Sequence, residues 1–308
     1  MKAIADDELI FEGPQEAATG QMTRLSPLVR RLIANNPSPF TFTGTCSYIV
    51  GEEELAIIDP GPLDEAHIEA LLQAAAGAKI AHILVTHTHR DHSPAAARLK
   101  AATGAPILGA RPYRPRAGFA GALKGLDASH DLAYAPDLAL EDGARIEGRG
   151  YTIEAVATPG HAANHLAFAL REESALFSGD HVMAWSTSIV APPDGSMGDY
   201  MASLDKLRAR GETIFWPGHG GPVREPQRWM RALGHHRRQR EASILARIEA
   251  GDGAVPQIVA KVYEGLNPAL VGAASLSTLA HLEDLVARGR IAMEGELGLS
   301  ARFSAIGG

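Results

Sequence analysis

Residues 79–85, KIAHILV, and the stretch that continues them, residues 86–93, THTHRDHS, decide how the rest of the chain is read. The first seven residues form a continuous apolar run broken only by Lys79 and His82, the pattern of a strand buried on both faces. The next eight are polar, and the helical stretch PAAARLKAAT follows at 94–103. A strand that runs into a polar loop and then a helix is where α/β proteins place their chemistry. On an extended segment residues i and i+2 point the same way, so His87 and His89 can approach one metal ion together. A turn after Arg90 swings Asp91 and His92 toward a second.

Three further segments repeat the theme downstream. Pro159-Gly160-His161, Ser178-Gly179-Asp180 and Pro217-Gly218-His219-Gly220 each follow a strand-like run and each offer a ligand beside small residues. Glycine there lets the backbone turn sharply and bring a side chain into a crowded centre. The chain has 13 His, several of them next to Asp and Gly, a pattern that points to metal chemistry. A His in isolation is more often a core or surface residue; the ordered set of seven is what reads as a metal site.

Composition narrows the remaining classes. The 308 residues carry 29 Lys+Arg against 36 Asp+Glu, a formal net charge of −7, with 45% hydrophobic and 21% charged residues. That is the make-up of a folded protein of one large or two ordinary units. Net acidity argues against a broad nucleic-acid-binding surface. No run of about 20 apolar residues is read as a membrane span. The acidic N-terminal stretch lacks a secretory pattern, and the single Cys46 allows no internal disulfide, so a cytoplasmic setting is expected.

With these residues in view, the sequence resembles the metallo-β-lactamase fold hydrolases over roughly residues 20–232, with the five family motifs in order, beginning at Asp59 in IIDPG. The resemblance implies an α/β architecture, an αββα sandwich. It implies that His87, His89 and His161 hold one divalent metal, that Asp91, His92 and His219 hold another, and that Asp180 bridges them. Such a mixed nitrogen and oxygen set suits Zn²⁺, with Fe or Mn as alternatives. The implied chemistry is hydrolysis by a metal-bridging hydroxide that Asp91 helps to orient, with Asp59 fixing a neighbouring ligand through hydrogen bonds. Asp180, where many antibiotic-hydrolysing members carry Cys or lack a bridging carboxylate, argues against a lactamase as the native role.

The last 70 or so residues change character. Helical stretches at 237–251, 256–265 and 275–289 precede a β-hairpin at 290–303, expected to turn around Glu294-Gly295, which suggests a small C-terminal winged-helix domain. The expected division is 1–234 for the hydrolase and 235–308 for the winged helix. Together with NNPSPFTFTGTCSYIVG (35–51), SGDHV (178–182) and HRRQRE (236–241), this resembles the β-lactamase-like subfamily carrying a winged helix, although Cys46 stands where many relatives have Asn. That subfamily implies either a small ester or thioester substrate or single-stranded RNA. From His235 to Gly308 there are eight Lys+Arg and eight Asp+Glu, a poor phosphate-binding balance, so this unit is expected to pack or to form a homodimer. The segment 109–143, rich in Gly and Pro, reads as a long loop with basic residues at Arg111, Arg114, Arg116 and Lys124. His181 and His165 are further candidates for contact with substrate or with the ligands. Trp185 and Tyr200 read as packing residues, Cys46 as a buried strand residue, and His67, His82, His130 and His281 as structural or exposed.

Overall fold

The computed structural model describes residues 9–13, 19–114 and 129–306. The first sheet has seven strands in sequence order: β1 Thr23–Arg24, β2 Val29–Ile33, β3 Cys46–Val50, β4 Glu54–Ile58, β5 Lys79–Val85, β6 Ile107–Gly109 and β7 Leu138–Ala139. Helix α1, Glu65–Ala74, links β4 to β5, and helix α2, Ala95–Thr103, links β5 to β6. The second sheet has five strands, β8 Arg145–Gly148, β9 Tyr151–Ala157, β10 Leu166–Leu170, β11 Ala175–Gly179 and β12 Ile214–Pro217, in the order β12-β11-β10-β9-β8. Helix α3, Met197–Arg208, lies between β11 and β12.

The apolar run of β5 explains the layers. In β5, Leu84 points into the sandwich and joins Tyr48, Ile58, Phe168, Phe177 and Trp216, drawn from both sheets. Its neighbours Ile83 and Val85 point the other way, onto Ile68 and Leu71 of α1 and Leu99 of α2. The strand is therefore buried on both faces, as its composition requires. On the far side Leu176 and Phe215 pack against Tyr200, Leu204 and Leu207 of α3. The architecture is the expected αββα sandwich. Asp64 caps α1 by accepting from Ala66 N, and Ser196 caps α3 by accepting from Asp199 N.

Helix α4, Pro226–Glu249, starts with Pro at its first turn, well before the expected start at 237. It runs unbroken through the expected division after residue 234. Trp229, Met230 and Leu233 pack on the hydrolase side, while Ile244 and Ile248 enter the C-terminal core. One helix thus belongs to both units. Helices α5, Val255–Val262, and α6, Val271–Ala287, and the antiparallel strands β13, Ile291–Glu294, and β14, Arg302–Ala305, complete the winged helix. Its last paired residues are Glu294 and Arg302, so the turn is wider than the expected one. Contrary to the sequence reading, 268–287 is long and apolar enough to match a membrane span by composition. Its apolarity is explained by packing, since Leu279, Leu282 and Leu285 are core residues and Ala280 reaches into the cluster between α3 and α4. Within the expected loop 109–143, β7 adds a strand to the first sheet, and Arg116 and Lys124 lie outside the described residues.

Candidate metal centre

The candidate ligand residues and Asp59 all follow the C-terminal ends of strands at one edge of the sandwich. Asp59 follows β4, the His87–His92 segment follows β5, and His161, Asp180 and His219 follow β9, β11 and β12. Two glycines make this edge passable. Gly160 has φ +142°, and a Cβ there would stand 2.3 Å from Tyr200 Cα on α3. At Gly218 a Cβ would lie 2.4 Å from Asp180 Oδ1 and 2.7 Å from His92 Cε1.

Three imidazole nitrogens converge first. His87 Nε2 is 2.9 Å from His89 Nδ1, which is 3.0 Å from His161 Nε2. Beside them lies a mixed cluster. His219 Nε2 is 3.2 Å from Asp91 Oδ2 and 3.3 Å from Asp180 Oδ2, and His92 Nε2 is 3.4 Å from Asp91 Oδ2 and 3.5 Å from Asp180 Oδ1. Asp180 Oδ2 also stands 3.7 Å from His161 Nε2, which places this carboxylate between the two groups. All seven residues named from the sequence are brought together.

The remaining ring nitrogens are occupied by acceptors, and this fixes which nitrogen is free. His92 Nδ1 donates to Asp59 Oδ2 at 2.9 Å, and His161 Nδ1 donates to the Ile189 carbonyl at 2.6 Å. His219 Nδ1 donates to the Gly44 carbonyl at 3.3 Å. Thr86 Oγ1 donates to Asp59 Oδ2 at 2.7 Å, so it accepts from His87 Nδ1 at 2.9 Å. His89 presents Nδ1 inward, and its Nε2 faces Asp194 Oδ2 at 3.8 Å. The other nitrogen of each ring faces the centre, where it can offer its lone pair to a metal. His92 Nε2, Asp180 Oδ1 and His219 Nε2 are buried there without a hydrogen-bond partner. Orphaned buried acceptors at converging positions are the signature of a cation site, and ligating His rings held by carbonyls or carboxylates are its usual support. The donor set fits divalent metal.

Electrostatics agree. Burial pulls His219 down, but Asp180 and Asp91 outweigh it and raise its pKa to about 10. Burial likewise lowers His92, and Asp91, Asp180 and Asp59 reverse the shift and push it well up. Burial drives His87 and His89 well down, aided by neighbouring histidines. One half of the centre is thus built from neutral imidazoles and the other around two carboxylates that demand positive charge.

His165 and His181 differ in role from the ligands. His165 Nε2 accepts from Asp180 N at 3.2 Å and its Nδ1 donates to Thr158 Oγ1 at 2.8 Å, so it supports the turn that carries Asp180. His181 is fully buried behind the centre, its ring 4.5 Å from Tyr200, and its carbonyl accepts from Tyr200 Oη and Ser188 Oγ. Cys46 is buried in β3 as expected. Two residues depart from their sequence reading. Trp185 is stacked on Phe42 at 4.7 Å and lines the central cavity instead of the core. His130 lies beside the centre, its ring 4.7 Å from His89 and 3.6 Å from Tyr113. Asp194 and Thr86 were not singled out by any sequence signal, since the partners of Asp194, and Asp59 for Thr86, become neighbours only in the fold.

A cavity of about 630 Å³ opens on the centre, with His89, Asp91, His161, Asp180 and His219 at its base. Comparison with known proteins agrees with this geometry. Residues 40–219 match the family model of the metallo-beta-lactamase superfamily, and residues 254–300 match that of the beta-lactamase associated winged helix domain. The chain is 30% identical over 266 residues to the lactamase-like protein adaB of Aspergillus niger, covering 80% of this chain and 76% of that protein. It is 32% identical over 232 residues to the atrochrysone carboxyl ACP thioesterase of Aspergillus fumigatus, covering 73% and 66%. A beta-lactamase domain protein from Burkholderia ambifaria shares the fold with a TM-score of 0.79 at 21% identity, over 95% of both chains.

Proposed function

The chain belongs to the metallo-beta-lactamase superfamily of hydrolases, and from that premise we propose that it cleaves a carboxylic ester or thioester at a dinuclear metal centre, with zinc as the metal. The observation that carries this reading is the cavity, whose walls above the ligands are formed by Met183, Trp185 and Ile189, with Arg90 as the sole Lys or Arg among the described lining residues. An apolar acyl group suits such a wall; a phosphodiester chain calls for several basic groups along its path. That the Aspergillus fumigatus relative is an acyl carrier protein thioesterase supports the same reading.

His87, His89 and His161 would hold one metal and Asp91, His92 and His219 the other, with Asp180 shared. Bound there, the metals supply Lewis acidity toward a carbonyl oxygen and make water a usable nucleophile at neutral pH. The chain itself does the rest. Asp59 and Thr86 keep the ring protons of His92 and His87 on Nδ1, away from the centre. Asp91 lines the cavity as well as the ligand cluster, so its carboxylate can accept a hydrogen from the attacking water and orient it. Met183, Trp185 and Ile189 exclude bulk water from the acyl side.

The test is turnover by full-length protein stripped with chelator and reloaded with zinc, iron or manganese. Aryl esters and acyl-N-acetylcysteamine thioesters should be hydrolysed, with activity lost on chelation and restored by metal. Labelled single-stranded RNA is the opposing substrate, and His87→Ala controls for contaminating nuclease. Cleavage of RNA by the wild type, with no ester or thioester hydrolysed, would replace this reading with a nuclease.

A further inference from the structure

The cavity above the metal ligands is not built by the hydrolase domain alone. Ala273 and Leu276, both on α6 of the winged helix, line it together with Met183, Trp185 and Ile189. They stand three residues apart and so share one face of the helix. That face is held in place by the rest of α6. Thr278, Leu279, Ala280, His281, Leu282 and Leu285 are buried, and Ala280 packs among Met197, Tyr200 and Leu204 of α3. The arrangement is tied from a second direction by Arg237 of α4, which is 4% exposed and donates to the Ser188 carbonyl in the segment that also supplies Ile189 to the wall. The winged-helix side and the cavity lining are thus one packed body.

Charge complements this placement. Asp194, the other charged residue outside the ligand set and Arg90, is turned toward His89, His130 and Ala163 N instead of toward α6. Ala273 and Leu276 present an apolar surface to the cavity, and Ala273 is, with Ala191, one of its two smallest lining residues.

We propose that the winged helix is the substrate-selecting half of the active site. Ala273 and Leu276, together with Trp185 and Met183, form the subsite for the acyl portion of the substrate, and their bulk sets the largest apolar acyl group accepted. The inference rests on the ester or thioester reading for its substrate, but its subsite can be measured without turnover. Each methylene moved from water into the subsite should tighten binding about fourfold. Ala273→Trp places a large ring in the subsite and should end that gain early in a chain-length series. Leu276→Ala lengthens the space and should move the end of the gain to longer chains.

The experiment is calorimetric titration of zinc-loaded full-length protein with linear carboxylates from acetate to decanoate and with 2-naphthoate, the product class of the proposed reaction. Kinetics with the matching aryl esters run in parallel. In the wild type, affinity should climb with length. In Ala273→Trp the octanoate-to-acetate affinity ratio, and the same ratio of kcat/KM for the esters, should fall at least tenfold. Val271→Trp, on an exposed position outside the cavity, should leave both ratios at wild-type values. If Ala273→Trp does not fold, a shift of the length optimum in Leu276→Ala carries the test. Unchanged ratios in the folded variants, or a wild-type affinity that is flat with chain length, would overturn the proposal. Length-dependent binding that responds to both variants, with no ester or thioester turned over, would uphold the subsite and reject the reading of the reaction.

Discussion

Asp59 lies outside the ligand set yet accepts from Thr86 N at 2.8 Å, from Thr86 Oγ1 at 2.7 Å and from His92 Nδ1 at 2.9 Å. Through Thr86 it also governs His87, so one carboxylate orients a ring in each half of the centre. Asp59→Asn replaces an acceptor oxygen with a donor at one of these contacts. Metal affinity should fall about 10- to 100-fold, read by competition with a chromophoric chelator, while the fold survives. Affinity unchanged by this substitution would mean that the rings are fixed by packing alone. At this scale the candidate ligands were legible because four stand together in THTHRDHS and the other three each stand beside glycine. The supports were legible only in part. Asp59 sits in a recognisable IIDPG, whereas Asp194 and His130 reach His89 from distant segments and carry no local mark.

The turn that carries His161 and helix α3 meet at Gly160. Its φ of +142° is one that residues with a side chain rarely adopt, and its α-carbon faces the backbone of Tyr200 on α3. Gly160→Ala cannot be absorbed by a side-chain rotation, because the clash is with main chain. It should destabilise the protein by several kcal/mol, of the order of ~3 kcal/mol or more, and disturb His161 if the chain folds at all. Urea unfolding followed by circular dichroism gives the first quantity and metal stoichiometry the second; a wild-type midpoint would show that α3 is free to move away. Strands and helices of the sandwich were legible from their period, β5 and α1 most clearly. Helix α4 was not, because its apolar positions face the hydrolase core first and the C-terminal core later, and the expected division after residue 234 falls inside it.

Across the whole molecule, several buried histidines outside the metal centre oppose protonation. His281 is 1% exposed in the winged helix with neither ring nitrogen hydrogen-bonded, and burial, reinforced by Arg237 and Arg240, lowers its pKa to about 3. His67 is lowered to about 4, again chiefly by burial. The unfolded chain takes up these protons near pH 6.5 while the folded chain refuses them until far lower pH. Stability is therefore intact above pH 6.5 and falls as the pH drops from there toward 3. His281→Leu should remove a share of that loss on the order of 2 kcal/mol between pH 8 and pH 5, visible as a flatter pH dependence of the urea midpoint. An equal slope in both proteins would mean that His281 becomes protonated in the folded state. The sequence by itself pointed to the αββα sandwich, the appended winged helix and seven candidate ligand positions, because the motifs that carry the family resemblance are local properties of the chain. Only the tertiary structure decided that Trp185 and His130 stand at the cavity, that Asp194 faces His89 and that α6 closes one wall. Those neighbours come from segments far apart in sequence, and packing, which no local pattern records, is what brings them together.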